Sequence, residues 1–143
     1  MADQPYFEDF AVGDNIPEVT ERCNEAQLFF FSAATNNGHR IHYDLPFAKE
    51  EGHETILVHG PLQAALMGKT LTDWAGPEGR LVKIGIQNRA SAYPHEDLFF
   101  GAKVVGKREE GGRRFLDLET FERKSDGRVI MPGTATVSLP SRR

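Results

Sequence analysis

Apolar positions change their period once along the chain. Before Pro77 they recur at helical spacing, and after it they alternate. Asn24 precedes Glu25 and Gln27, and a cap residue followed by Gln at the third helical position satisfies free amides at a helix start. Leu28, Phe29, Phe31, Ser32 and Thr35 follow, which predicts a buried helix over 24–35, broken by Gly38. "YDLPFAKEEGH" predicts a short helical turn with Pro46 near its start and Gly52 at its end. "TILVHG" is a brief β-branched run and predicts a strand. It leads into "GPLQAALMGKTLTDWAG", where Pro61 suits the first helical position and Gly76-Pro77 mark the stop. Leu62, Ala65, Leu66, Leu71 and Trp74 give this helix its apolar face. Gly68 in its middle costs about 1 kcal/mol relative to Ala, and close packing against a flat neighbour would account for it.

Beyond Pro77, "RLVKIGIQNRASAY", "DLFFGAKVVGKREE", "RRFLDLETFERK" and "RVIMPGTATVSLP" each read as strands. "EEGG" and "KSDG" are hairpin-like links. An earlier short extended run follows the turn at Gly13-Asp14. Helices in one block and strands in another indicate an α+β fold rather than alternating βαβ units. The expectation is one antiparallel sheet of about five or six strands, wrapped around the helix that starts at Gly60. With no repeat or dividing linker, residues 1–143 read as a single domain.

Composition adds exclusions. The chain is 39% hydrophobic and 27% charged, as expected for a water-soluble globular protein. A net charge of −4 supplies no global field for nucleic acid. Apolar runs such as "LFFFSAA" are too short to span a bilayer, and no secretory signal is evident. The single cysteine, Cys23, rules out a disulfide within the chain and fits a reducing, cytoplasmic setting.

The densest polar stretch, "TNNGHRIHYDLPFAK", lies between apolar segments. A metal site is not expected there: His39 and His42 are three apart, but there is no cysteine pair, no HExxH helix and no evident third ligand. Nor is nucleophilic catalysis: Cys23 reads as a small core residue, and no Gly-x-Ser-x-Gly elbow exists. Acid/base chemistry fits better. An imidazole titrates near neutral pH, and Asn37 and His42 can turn toward one pocket. "VHGPL" adds a helix start at Gly60, whose free amides and positive dipole end suit a carbonyl oxygen gaining charge. Taken alone, "HGP" is equally an ordinary turn into a helix.

Together these residues resemble the MaoC-like, R-specific enoyl-CoA hydratase family, whose signature reads Asp-x-Asn-Pro, a branched aliphatic, His, then five residues and a small one. Ile41, His42 and Ala48 match it. Asn37 stands in the place of the family's catalytic Asp, and His39 and Arg40 replace the Asn-Pro pair. "NGHRIHYD" is most similar to the branch of 3-hydroxyacyl-thioester dehydratases and mesaconyl-type CoA hydratases, which also reads Asn at this point. "HGPL", "SAYPHEDLFFGAKVVG" and "GRVIMPGTATVSL" resemble the family's oxyanion segment and later strands, and "LTDWAGP" the small subunits of hydratases acting on steroid side chains.

The resemblance implies a hotdog fold, an antiparallel sheet wrapped around a long central helix, and a homodimer or a heteromer of hotdog subunits. It implies hydration of a 2-enoyl thioester, or the reverse dehydration, on an acyl-CoA substrate with no cofactor beyond that coenzyme A. His42 would be the general base, the Gly60 amide the oxyanion donor, and Asn37 an orienter of water. His39, Arg40 and His59 would be substrate contacts, although Arg40 has an equal alternative as a structural partner of Asp44 or Glu51, and His59 an alternative as a packing residue beside the oxyanion glycine. The proton for C2 would come back from His42, from Asp44, or from a partner subunit. Two rival functions stand beside this. A hotdog thioesterase would need a carboxylate near the early turns of the central helix, where Pro61, Leu62, Gln63, Ala64 and Ala65 offer none. A non-catalytic subunit of a heteromeric hydratase would explain the departure at Asn37.

Overall fold

The computed structural model describes residues 3–142. A 3-10 turn at Phe7–Asp9 leads to β1 (Val19–Glu21), α1 (Glu25–Ala34), a 3-10 turn at Arg40–His42, α2 (Leu45–Glu50) and α3 (Gly60–Ala75). Then come β2 (Arg80–Ile86), β3 (Leu98–Glu110), β4 (Arg113–Arg123) and β5 (Val129–Ser138). All five strands join one antiparallel sheet in the order β1-β3-β4-β5-β2. The β3–β4 link uses Gly111 and Gly112, at φ of 59° and 74°, where a two-residue hairpin turn needs the left-handed region.

The sheet packs around α3, which contacts β2, β3 and β5. Leu62, Leu66, Met67, Leu71 and Ala75 form its buried stripe. They meet Leu98, Phe100, Leu116, Leu118, Ile130, Met131 and Val137 from the sheet in one continuous core. This helix-in-sheet layering is the α+β arrangement expected from the sequence. Cys23 is 1% exposed in this core, and burial, followed by the nearby Glu21 and Glu122, pushes its thiol up to about 11. It is an inert packing residue.

Three expectations change. "TILVHG" is not a strand: it runs extended, but its amides bond to two different segments, Leu57 N–H to the Ile41 carbonyl at 3.0 Å and Val58 N–H to that of Ala92 at 2.9 Å. Ile56, Leu57 and Val58 are buried, so the run has the composition of an interior strand without a ladder partner. The helix over 24–35 begins as predicted, with the Asn24 side chain accepting from Gln27 N–H at 2.9 Å, but it is not buried all round. Leu28 and Ser32 face inward, while Phe29 and Phe30 are 58% and 68% exposed. They line an apolar hollow with Tyr43, Leu45 and Ile56. At Gly68 an added Cβ would come no closer than 4.0 Å, to Leu81, so no tight packing demands that glycine.

Candidate active site

The site forms where α1, the Arg40–His42 turn and the start of α3 converge. After α1, Asn36 adopts φ 53° and reverses the chain, and the Asn37 amide returns to the Ser32 carbonyl at 2.9 Å. The 3-10 turn then directs His42 inward, leaving it 8% exposed. Its Nδ1 lies 2.8 Å from the Leu57 carbonyl. A carbonyl can only accept, so Nδ1 carries the proton and Nε2 keeps its lone pair. Burial holds the His42 pKa below the ordinary value, the Leu57 bond opposes that shift, and His39 adds to it. The imidazole is therefore neutral at neutral pH, a competent proton acceptor.

His59 lies directly behind it. The two rings stack with centroids 3.7 Å apart and 19° from parallel. His59 is 0% exposed, and its Nε2 sits 2.7 Å from Ser32 Oγ. Burial, with His42 alongside, lowers its pKa to about 4. The residue after it opens α3. His59 provides no side-chain cap, Pro61 has no amide hydrogen, and the Gly60 N–H has no acceptor among the described residues.

His42 and Gly60 line one cleft of about 350 Å³, together with Gln63, Asn88, Arg89 and Ser91. Gln63 is 2% exposed. Its Nε2 donates to the Val58 carbonyl at 3.3 Å, and its Oε1 is without a partner. A neutral base, a free main-chain donor and polar side chains in one hollow can activate water beside a carbonyl compound.

Of the residues expected from sequence, the structure brings only His42 and Gly60 into this cleft. Asn37 lines a neighbouring hollow with Ser32, Phe29 and Tyr43, and its Oδ1 accepts from the His39 amide at 3.2 Å. His39 caps the 3-10 turn and is exposed. Arg40 takes its structural alternative: Nε and Nη2 bond Asp44 Oδ2 at 2.9 and 2.6 Å, and the guanidinium lies over the Phe47 ring. Arg40, with the Phe47 amide, holds the Asp44 carboxyl below the usual range, so Asp44 is a poor acid for C2. His59 takes its packing alternative: it is fully buried and stacked behind His42. Sequence reasoning missed Ser32, Gln63 and Asn88. Polar residues within the apolar helices were the signal for the first two; nothing local marks Asn88.

The fold defines the class. The chain has the hotdog fold, superposing on the unliganded R-hydratase PhaJ1 of Pseudomonas aeruginosa with a TM-score of 0.85 at 20% identity, over 96% of this chain and 86% of that one. The profile of the family "hydroxyacyl-thioester dehydratase type 2" matches residues 11–93, more than half of the sequence, and the chain belongs to that family. Among curated proteins, a mesaconyl-C(4)-CoA hydratase of Chloroflexus aurantiacus is 61% identical over 41 residues, a match spanning 28% of this chain and only 15% of that protein. The beta subunit of a 3-oxo-4,17-pregnadiene-20-carboxyl-CoA hydratase of Mycobacterium tuberculosis is 26% identical over 131 residues, covering 92% of this chain and 96% of that one.

Proposed function

We propose that this chain adds water to a trans-2-enoyl thioester, or removes it from the corresponding 3-hydroxyacyl thioester, with an acyl-CoA as the carrier form. The observation that carries this is the free Nε2 of a neutral, buried His42 in the same cleft as the unpaired amide of Gly60. In the forward direction Nε2 takes a proton from water as the water oxygen bonds to C3. The C2–C3 π pair moves toward the thioester oxygen, which the Gly60 amide stabilises. The imidazolium then returns its proton to C2 and the carbonyl reforms, so base and acid are one residue. A placed base contributes roughly 10²–10⁴ in rate and an oxyanion donor on the order of 10²–10³. Asn37, turned to the His39 amide, supports the base only by shaping the loop. The buried lone thiol suits a reducing compartment such as the cytoplasm.

A second reading is favoured by the likeness to a hydratase beta subunit and by the position of Asn37: a subunit that works only with a second hotdog chain. One assay separates them. The purified chain should abolish the enoyl-thioester absorbance of trans-2-enoyl-CoA esters, tested from butenoyl to hexadecenoyl, and His42→Ala should abolish that activity. An undiminished rate in His42→Ala refutes the base. An inactive chain that gains activity with a second subunit supports the heteromer.

A further inference from the structure

Gly60 lacks a side chain, and Asn88 occupies the space one would take. A Cβ built on Gly60 would lie 2.0 Å from Asn88 Nδ2, and the three nearest heavy atoms to it all belong to Asn88. The carboxamide therefore rests on the first residue of α3. Its backbone is fixed on both sides by an extension of the β2–β5 pairing: Gln87 N–H donates to the Pro132 carbonyl at 3.0 Å and Arg89 N–H to that of Ile130 at 2.9 Å. The neighbouring side chains satisfy each other, Arg89 Nη2 donating to Gln87 Oε1 at 3.2 Å, while Asn88 makes no side-chain hydrogen bond among the described residues. Its two N–H donors are free.

The helix start is not the only sign of a ligand here. His42, more than nine-tenths buried, lines the same cleft with Nε2 unpartnered, and the buried Gln63 Oε1 is unpartnered as well. The geometry points to Asn88 as the second donor to the thioester oxygen, completing with the Gly60 amide a two-pronged oxyanion site. This rests on the hydratase reading above. It also gives Gly60 a reason to be glycine: any side chain there would displace the carboxamide. A neutral amide suits the role, since it donates at every working pH and brings no charge that would bind the ground state equally. As the π pair moves onto the oxygen, the Asn88 N–H bond strengthens, which selects the transition state over the substrate.

The test compares Asn88→Ala and Asn88→Asp with the wild-type chain on the enoyl-CoA ester it turns over fastest. Both should lower kcat by on the order of 10²-fold, Asn88→Asp more because a carboxylate repels the developing oxyanion. Binding of the matching saturated acyl-CoA, measured by calorimetry, should change by less than about threefold. Melting temperatures should match wild type, because Asn88 is exposed and holds nothing else in place. A kcat within about twofold of wild type overturns the assignment, as does an equal loss in saturated-ester binding, which would make Asn88 a uniform binding contact. A wild-type chain that stays inactive both alone and with a second hotdog subunit overturns the hydratase reading itself, a result distinguishable from either.

Discussion

His42 and His59 stack face to face, the inner ring fully buried and bonded to Ser32 and the outer ring 8% exposed. Two imidazoles this close cannot both carry charge, and the inner one, with its pKa near 4, stays neutral. It lies as a flat wall against the ring of His42, the base proposed above. His59→Ala should remove that wall, cost about 2 kcal/mol in denaturant unfolding and lower kcat well beyond what the stability loss explains. His59→Phe should retain most of kcat, since it preserves the flat face. Equal activities of the Ala and Phe variants would show that the stack does not position the base.

The rate should also depend on pH in a direction set by burial. His42 must be neutral to accept a proton, and its pKa is held below the ordinary 6.5. The rate constant kcat/KM should therefore be level through neutral pH and fall only on acidification through a midpoint below that of a free imidazole. A midpoint above 6.5 would contradict the desolvated environment.

Stability shares the acid sensitivity through His59. Its folded pKa is depressed, so below 6.5 the unfolded chain binds a proton that the folded chain refuses. Its contribution is fully present above pH 6.5 and is lost as pH falls toward 4, about 2 kcal/mol of it by pH 5. Urea unfolding at pH 7 and pH 5 should show this difference shrinking in His59→Phe.

Glu122 acts in the opposite direction. It lies on β4, fully buried, with both carboxyl oxygens unpartnered. Burial pushes its pKa up to about 8, Lys124 opposes the shift, and Glu96 adds to it. With the folded pKa raised, the folded state holds the extra proton, so stability falls as pH rises from about 4.5 toward 8. Glu122→Gln should raise the melting temperature at pH 8 by several degrees, on the order of 1–2 kcal/mol, and have little effect at pH 5. Equal effects at both values would mean the carboxyl is ionised throughout.

Gly60 and Asn88 form a testable pair. Gly60→Ala drives a methyl into the Asn88 carboxamide, the movable end of a side chain, so the amide should swing away while the fold persists. Gly60→Ala and Asn88→Ala then remove the same interaction. In a double-mutant cycle the combined loss should fall short of the product of the single losses by about tenfold or more. Strict multiplicativity would separate the two residues.

What was legible in the sequence was local. Asn24 and Pro61 mark helix starts through their own chemistry, and the alternation after Pro77 marks the strands, so α1, α3 and β3–β5 stand where expected, while β2 starts as expected at Arg80 but ends at Ile86, half the run read as a strand. His42 and Gly60 were readable as candidates from their own residue types, and the structure places both in one cleft. The misread segments lacked a local signature. "TILV" is buried on both faces with or without a sheet partner, and composition does not separate the two cases. Phe29 and Phe30 are as apolar as Leu28, and only the packing of α1 decides which side is covered. The His42–His59 stack, the Ser32 bond and the Asn88 contact join residues far apart in the chain, and no spacing rule encodes them. The orientation of Asn37 was hidden for a related reason: its side chain faces either way according to a single hydrogen bond to the next loop amide but one.

Because Cys23 is the chain's sole thiol and is sealed in the core, it also serves as an internal clock for opening of the fold. Alkylating reagents need a thiolate in contact with solvent, and the folded chain offers neither. Each modified molecule therefore records one excursion from the native state. Mass-resolved labelling would read the frequency of those excursions with no engineered probe, at the spot where β1 gives way to α1.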